Sequence, residues 1–349
     1  MALTHGGNLN AAMARFGGRR EQWLDLSTGI SPRSWPVPPV PEAVWQRLPE
    51  ADDDLVAAAA GYYGCDERGV LPVPGSQHAI ALLPSLWPRD AVALPRWGYE
   101  EHRAAWEAAG HRCTFYRDLA ELEARVADEA VHYAVVINPN NPLGELFDPA
   151  SLLALASALG ERGGRLLVDE AFIDHGSGDS LIPVAHPAVV VLRSVGKFFG
   201  LAGLRLGFAL APRREIAALA AATNPWAVSH PARWIGAAAL ADTRWQARQR
   251  LWIEEVGNRW RRDIQALLPG RAVRGAGLFA SVSLPAKTAL GLQVAAAGQA
   301  LWLRVYGPRG DEAVVRFGLP PPGRERDARE RLRRAVGNCE DLRELGLGQ

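Results

Sequence analysis

The sequence predicts an α/β fold: a large domain on a mainly parallel sheet, followed by a smaller α+β domain. Three observations predict it. Between about residues 75 and 210, short apolar runs alternate with helix-length segments, the pattern of parallel strands with crossover helices. Beyond about Pro212 helical segments dominate, with two strand-like runs among them. The 349 residues leave room for about two domains at ~150 residues each.

Taken in order, residues 1–40 hold glycine pairs and a proline cluster from Pro32 to Pro41, and read as an arm that wraps rather than packs as a core. Ser76 is placed to cap a helix through Leu83. Ala91–Leu94 reads as a strand, Tyr99–Ala109 as a helix, and Tyr133–Ile137 as a buried strand. A Pro/Asn turn then leads to a helix from Pro149 to Leu159. Arg165–Val168, Val189–Leu192 and Gly207–Leu210 read as further strands. A long amphipathic helix covers Thr243–Leu268. Strand-like runs follow at Leu278–Leu284 and Ala313–Phe317, and a charged helix at Glu325–Val336 closes the chain. The domains implied are an arm over 1–40, a large domain over 41–215 and a small domain over 216–349.

Composition excludes several functions. The 39 basic and 38 acidic residues nearly cancel, and no basic tract is present, which argues against nucleic acid as the main partner. No stretch approaches the ~18 uninterrupted apolar residues of a membrane span. The opening residues lack the pattern of a secretory signal, and Cys65, Cys113 and Cys339 have no metal-ligand spacing, so the expectation is a cytoplasmic protein without a metal. Only Lys197 and Lys287 are lysines, against 37 arginines. Codon bias explains the imbalance, but only an amine forms a Schiff base, so a lysine nucleophile has two candidates.

Open α/β sheets bind ligands beyond the carboxyl ends of their strands. Four such ends carry distinctive residues. Val73 leads to Pro74-Gly75-Ser76-Gln77; Ile137 to Asn138-Pro139-Asn140-Asn141-Pro142-Leu143-Gly144; Val168 to Asp169-Glu170-Ala171-Phe172; and Leu192 to Arg193-Ser194-Val195-Gly196-Lys197, with Arg205 and Gly207 behind. Each alone has a plain structural explanation as a turn, a cap or a solvated charge. Gly200, Gly203 and Gly207 lack the spacing and placement of a dinucleotide-binding turn, which rejects a nicotinamide oxidoreductase.

Together these segments resemble the fold-type I, pyridoxal-phosphate-dependent aminotransferase family over about residues 20–320. The resemblance implies that Lys197 holds the cofactor through its amine and shuttles protons, while Asp169 faces the pyridine nitrogen and Asn141 the ring hydroxyl. It implies that Gly75, Ser76 and Gln77 offer backbone amides to the phosphate, completed by Ser194 and Arg205. Trp97 is the candidate for stacking on the ring, with Tyr99 as its rival. Lys287 reads as an exposed loop residue without acidic neighbours. Arg304 and Arg316 would meet the substrate, Arg316 gripping its carboxylate.

The opening His5-Gly6-Gly7-Asn8, with Leu24-Asp25-Leu26-Ser27-Thr28-Gly29-Ile30-Ser31-Pro32, is similar to the threonine-phosphate decarboxylases of cobalamin synthesis. In them this arm lies over the active site, so His5, Gly6 and Gly29, together with Asn141, would contact substrate. The resemblance implies decarboxylation of L-threonine O-3-phosphate to (R)-1-amino-2-propanol O-2-phosphate by a homodimer. The rivals are an aminotransferase for a phosphorylated compound such as histidinol phosphate, and a non-catalytic cofactor-binding partner of adenosylcobinamide-phosphate synthase. Four positions depart from the pattern: Phe172 replaces a tyrosine, Leu48 replaces the tyrosine of an Arg-Tyr-Pro motif that reaches the neighbouring subunit, and Gly29 and Ser31 replace asparagines.

Overall fold

A computed structural model describes residues 6–50, 53–176 and 179–344. Thirteen strands occur among them: β1 (Leu24–Asp25), β2 (Val70–Val73), β3 (Ala91–Pro95), β4 (Arg112–Tyr116), β5 (Tyr133–Ile137), β6 (Arg165–Asp169), β7 (Val189–Ser194), β8 (Gly207–Leu210), β9 (Val273–Gly275), β10 (Phe279–Pro285), β11 (Leu301–Trp302), β12 (Arg304–Arg309) and β13 (Glu312–Gly318). The chain forms two compact units, one of residues 34–141 and 146–250, the other of residues 1–33, 142–145 and 251–349.

The first unit holds a seven-stranded sheet in the order β2-β8-β7-β6-β5-β3-β4. From β7 to β4 every pair is parallel, while β8 runs antiparallel to both β7 and β2. β5 and β7 are buried along their whole length, as strands covered on both faces must be. That is why they read in the sequence as unbroken apolar runs rather than alternations. The helices start where side chains satisfy their first amides: Asp118 accepts from Glu121 N, and Asp148 accepts from Ser151 N ahead of Pro149. Trp87, Trp106 and Tyr133 meet in the core, with Trp87 stacked on Tyr133 at 5.5 Å between centroids. β4 escapes a sequence reading because it is an edge strand in which only Tyr116 is buried.

The boundary expected at residue 215 is corrected to Arg250, for a packing reason. Glu215 accepts hydrogen bonds from Trp87 Nε1 and Arg165 Nε, each 2.9 Å long, which fastens the helix Arg213–Ala222 to the sheet unit. The helix His230–Ala241 packs on Leu55–Tyr63 of the same unit. The division falls inside the helix Thr243–Leu267, where the amphipathic pattern runs on without a break.

The second unit holds a four-stranded antiparallel sheet, β12-β13-β10-β9, and the parallel pair β1–β11. The expectation that residues 1–40 only wrap is also corrected. Leu9–Phe16 is a helix capped by Asn8, and its Leu9 and Ala12 pack with Trp23 and Ala297. β1 then pairs Leu24 with Leu301 and Asp25 with Trp302. No helix of the described residues is long and apolar enough to cross a membrane.

Candidate active site

Strand register assembles the site in the first unit. Ile137, Asp169 and Leu192 lie in one row across β5, β6 and β7. Ser194, Gly207 and Val73 lie in another across β7, β8 and β2. The residues that follow Val73, Ile137, Asp169 and Ser194, and those that precede Gly207, therefore emerge from one edge of the sheet. This is where the ligands of open α/β sheets sit. Gly75, Ser76, Gln77, Asn141, Asp169, Ser194, Lys197 and Arg205 all belong to these segments.

Asp169 is buried at the end of β6, where its Oδ1 accepts from Ala171 N at 3.0 Å. Its Oδ2 lies 3.1 Å from Nε2 of His102, itself buried, and the other ring nitrogen of His102 has no hydrogen-bond partner among the described residues. His102 was not foreseen from the sequence. Its signal was available, because it stands three residues after Tyr99 and hence on the same face of the helix Glu100–Ala108.

Lys197 sits in the short helix Val195–Phe198 that continues β7, and its Nζ stands 5.6 Å from the ring centroid of Phe172. Phe172 is buried in the turn after Asp169, so the two strand ends bring the amine and the carboxylate into one neighbourhood. Asn141 is buried in a turn held by its neighbours. The Asn138 side chain accepts from Phe147 N at 2.8 Å and donates to Phe147 O at 3.1 Å, and Asn140 Nδ2 donates to Trp97 O at 3.0 Å.

Gly75 caps the helix Ser76–Leu86 with φ 79°, a conformation natural to glycine. A Cβ there would stand 2.6 Å from Arg205 Nη2, so the missing side chain leaves the guanidinium room at the helix N-terminus. Arg205 is further placed by its Nη1, which donates to Ala202 O at 3.1 Å. A guanidinium, a helix N-terminus and an adjoining serine, Ser194, make a phosphate-binding arrangement. Gln77 commits its side chain elsewhere: its Oε1 accepts from Tyr99 Oη and its Nε2 donates to Glu101 Oε2, both at 2.9 Å. Tyr99 therefore spans from the helix N-terminus to His102, whose ring it meets edge-on at 6.3 Å. Trp97 is buried, while Tyr99 is only partly so.

Behind this edge lies a charge cluster that the sequence did not disclose. Arg193, the residue before Ser194, stands 3.2 Å from Asp174 and 3.6 Å from Glu170. All three are buried, and the Arg193 guanidinium stacks on Tyr63 at 4.7 Å. The pairing is ionic: Arg193 Nε and Nη1 make no hydrogen bond of acceptable geometry among the described residues. Burial pushes the carboxyl groups of Glu170 and Asp174 up from their ordinary values, against the opposing pull of Arg193.

Of the residues expected to meet substrate, Gly6, Gly29, Arg304 and Arg316 fall in the second unit and Asn141 in the first. Arg304 and Arg316 are paired directly across β12 and β13, and both lie over Tyr306, at 4.9 and 5.4 Å. Like charges directly opposite in a sheet repel, and an anion between them would relieve that cost. Arg316 is buried, and its Nη2 donates to Ser27 O at 2.7 Å. Gly29 is buried two residues further along the same segment, and Gly6 lies against Ser27. His5 lies outside the described residues. Lys287 is on the helix Ala286–Ala297 rather than in a loop, and its Nζ pairs with Asp341 at 2.7 Å, so the expectation of no acidic neighbour is corrected. No group of acidic, histidine or cysteine side chains that could hold a metal occurs among the described residues.

Residues 46–268 match the family described as aminotransferase class I and II. A threonine-phosphate decarboxylase of Pseudomonas aeruginosa is 47% identical over 245 residues, 70% of this chain and 72% of that protein. A histidinol-phosphate aminotransferase of Rhodospirillum centenum is 31% identical over 63% of this chain and 64% of its own. Among solved structures, histidinol-phosphate aminotransferase from Sinorhizobium meliloti in complex with pyridoxal-5'-phosphate superposes with a TM-score of 0.80 at 22% identity, over 99% of this chain and 96% of that one. The chain belongs to the class I and II aminotransferase family, with the fold-type I architecture. Within that family it groups with the threonine-phosphate decarboxylases.

Proposed function

We propose that this protein is a pyridoxal-phosphate-dependent decarboxylase of L-threonine O-3-phosphate, yielding (R)-1-amino-2-propanol O-2-phosphate for cobalamin synthesis. The observation that carries the reading is one sheet edge bearing an amine, a buried carboxylate and a phosphate-binding helix end. The cofactor fits these residues, since the glycine at 75 leaves open a cradle beside Arg205 that a Cβ would narrow. When bound, it supplies an electrophilic carbonyl for amine capture and a conjugated pyridine that takes up the electron pair left by the departing carboxylate.

The chain's own residues do the rest. Lys197 would be the attachment amine, and its Nζ would also be the group that delivers a proton to the substrate Cα after carbon dioxide leaves. Asp169, held by His102 and Ala171 N, keeps the ring nitrogen protonated. Gly75, Ser76, Gln77, Ser194 and Arg205 hold the cofactor phosphate, and Asn141 holds the ring oxygen. Phe172 offers no hydroxyl there, which leaves that contact to Asn141. Of the two candidates for the ring face, Tyr99 would be the better held, because its hydroxyl donates to Gln77 and its ring meets His102, the partner of Asp169; Trp97 remains its rival. Arg304 and Arg316 bind the anionic groups of the substrate, with His5, Gly6 and Gly29 in the adjoining arm. By fixing the substrate's anionic groups, Arg304 and Arg316 would set which bond to the substrate Cα is presented for cleavage, the bond to the carboxylate rather than the Cα–H bond.

The higher identity to the decarboxylase than to the histidinol-phosphate aminotransferase favours decarboxylation over amino transfer. A homodimer belongs to the same proposal, supported by the exposure of Trp45 and Leu48, 66% and 61%, beside the Arg-Leu-Pro segment. The product would then pass to the synthase that attaches it to the corrin ring, and the enzyme would work in the cytoplasm. The experiment is incubation of the protein and pyridoxal phosphate with L-threonine O-3-phosphate and no oxo-acid. Carbon dioxide and the phosphorylated amino alcohol in equal amounts support the proposal. Turnover that requires an oxo-acid acceptor overturns it.

A further inference from the structure

The segment Leu26–Thr28 is gripped from two sides by glycines. Gly318, at the end of β13, donates its N–H to Leu26 O at 2.7 Å, and a Cβ on it would fall on the Thr28 carbonyl oxygen. From the arm, Gly6 lies so close that a Cβ would fall on the Ser27 carbonyl oxygen. The glycine at position 6 is thus demanded by Ser27, a reason separate from the substrate contact that the resemblance implies.

Ser27 is fully buried, and its hydrogen bonds point three ways. Its backbone N and Oγ both donate to Asp25 Oδ1, at 2.9 and 2.6 Å. Its Oγ accepts from the arm's Gly7 N at 2.8 Å. Its carbonyl oxygen accepts from Arg316 Nη2 at 2.7 Å. The chemistry is directional. A hydroxyl has one proton, and once Asp25 takes it only acceptor lone pairs remain, which is what an amide N–H requires. Asp25 therefore sets the hydroxyl to receive the arm, while the carbonyl of the same residue sets the guanidinium, whose other flank is packed on Phe279 and Tyr306 at 5.5 and 5.4 Å. All of these residues belong to the second unit.

We infer that Ser27 is a positioning residue that joins the N-terminal arm to Arg316, so that seating the arm and orienting Arg316 for a carboxylate or phosphate are one coupled event. The inference rests on the proposed role of Arg316 toward the substrate anion, although the joint itself consists of contacts within the protein. An anion bound to Arg316 holds the guanidinium in the orientation that reaches the Ser27 carbonyl, and so favours the seated Ser27 whose hydroxyl receives Gly7. An arm pulled away frees the hydroxyl and loosens the carbonyl that steadies the guanidinium. The joint thus adds specificity, because only a ligand that engages Arg316 secures the cover.

Amide hydrogen exchange over residues 6–16 tests this with full-length protein carrying pyridoxal phosphate, alone and with L-threonine O-3-phosphate. Without substrate, Ser27→Ala is expected to speed exchange in this segment about tenfold, the equivalent of one lost buried hydrogen bond. Asp25→Asn should do so to a smaller extent, and serves alone if the alanine variant does not fold. With substrate, the wild-type arm gains protection and the Ser27→Ala arm does not. In turnover, Ser27→Ala raises KM about tenfold with a smaller change in kcat. Unchanged exchange in both variants, or equal protection of the alanine variant by substrate, overturns the inference. If wild type releases no carbon dioxide while the variant arm still exchanges faster, the proposed reaction fails and the joint stands.

Discussion

At the scale of single residues, the imbalance of basic side chains gives the sharpest test. Lys197 emerges beside Phe172 on the edge that carries Asp169, whereas Lys287 is a surface partner of Asp341 with 80% of its side chain exposed. Lys197→Arg should keep the fold and bind pyridoxal phosphate without forming a reducible covalent link, and lose turnover by several orders of magnitude. Lys287→Arg should leave activity unchanged and stability within about 0.5 kcal/mol. Borohydride reduction followed by mass spectrometry reads the first, and a denaturant titration the second. His102 yields a complementary expectation. It is the side chain that faces Asp169 inside the protein, so His102→Ala should lower kcat/KM by about tenfold to a hundredfold while the covalent link to Lys197 still forms. An activity within twofold of wild type would show that Asp169 needs no such partner. The shared placement of Lys197, Asp169 and Arg205 at one sheet edge was legible in the sequence because each stands at a fixed interval from a strand end. For His102 only its place beside Tyr99 was legible, because its role comes from a contact 67 residues away along the chain.

Among the elements, the strands explain what a sequence can and cannot disclose. β5, β6 and β7 announce themselves as apolar runs because both faces are covered, and the residues just beyond them make up the proposed site. β4 is an edge strand of mixed composition, and the arm helix Leu9–Phe16 carries only a short apolar stripe, so neither stood out. The glycine pair of the arm was visible, but its reasons were not: Gly6 is constrained by the carbonyl of Ser27, reached only through the fold, and Gly7 by a φ of 83°. The helix Ser76–Leu86 gives the prediction at this scale. Gly75→Ala meets Arg205 Nη2 and must also hold a positive φ, so the cradle opens or the guanidinium moves. The dissociation constant for pyridoxal phosphate should rise about tenfold to a hundredfold, measured by equilibrium dialysis, with the sheet intact by circular dichroism. Wild-type affinity would remove the cradle from the phosphate site.

For the whole molecule, the buried cluster of Glu170, Asp174 and Arg193 ties the catalytic edge to global stability. Burial raises both carboxyl groups, so the folded state holds their protons more tightly than the unfolded chain does. Their contribution therefore favours folding at acid pH and is lost as pH rises through the carboxylate range. Arg193 limits that loss, with Arg250 acting on Asp174 and Tyr62 bonded to it. Arg193→Gln leaves two buried carboxyl groups without their shared cation. The stability gap from wild type should widen from about pH 4 to about pH 8, reaching about 3–5 kcal/mol in urea titrations. A gap independent of pH would show that the cluster is held by packing alone. The division at Arg250 was hidden for a related reason, since a long helix continues through it while Glu215 and the helix His230–Ala241 anchor their segment to the sheet. The central claim, that the site breaks the bond to the carboxylate, is tested most directly by product analysis in deuterium oxide. Decarboxylation of L-threonine O-3-phosphate must give 1-amino-2-propanol O-2-phosphate with one deuteron at the former Cα, delivered through Lys197, and without any oxo-acid. A product that keeps its carboxylate, formed only when an amino acceptor is supplied, would contradict the account.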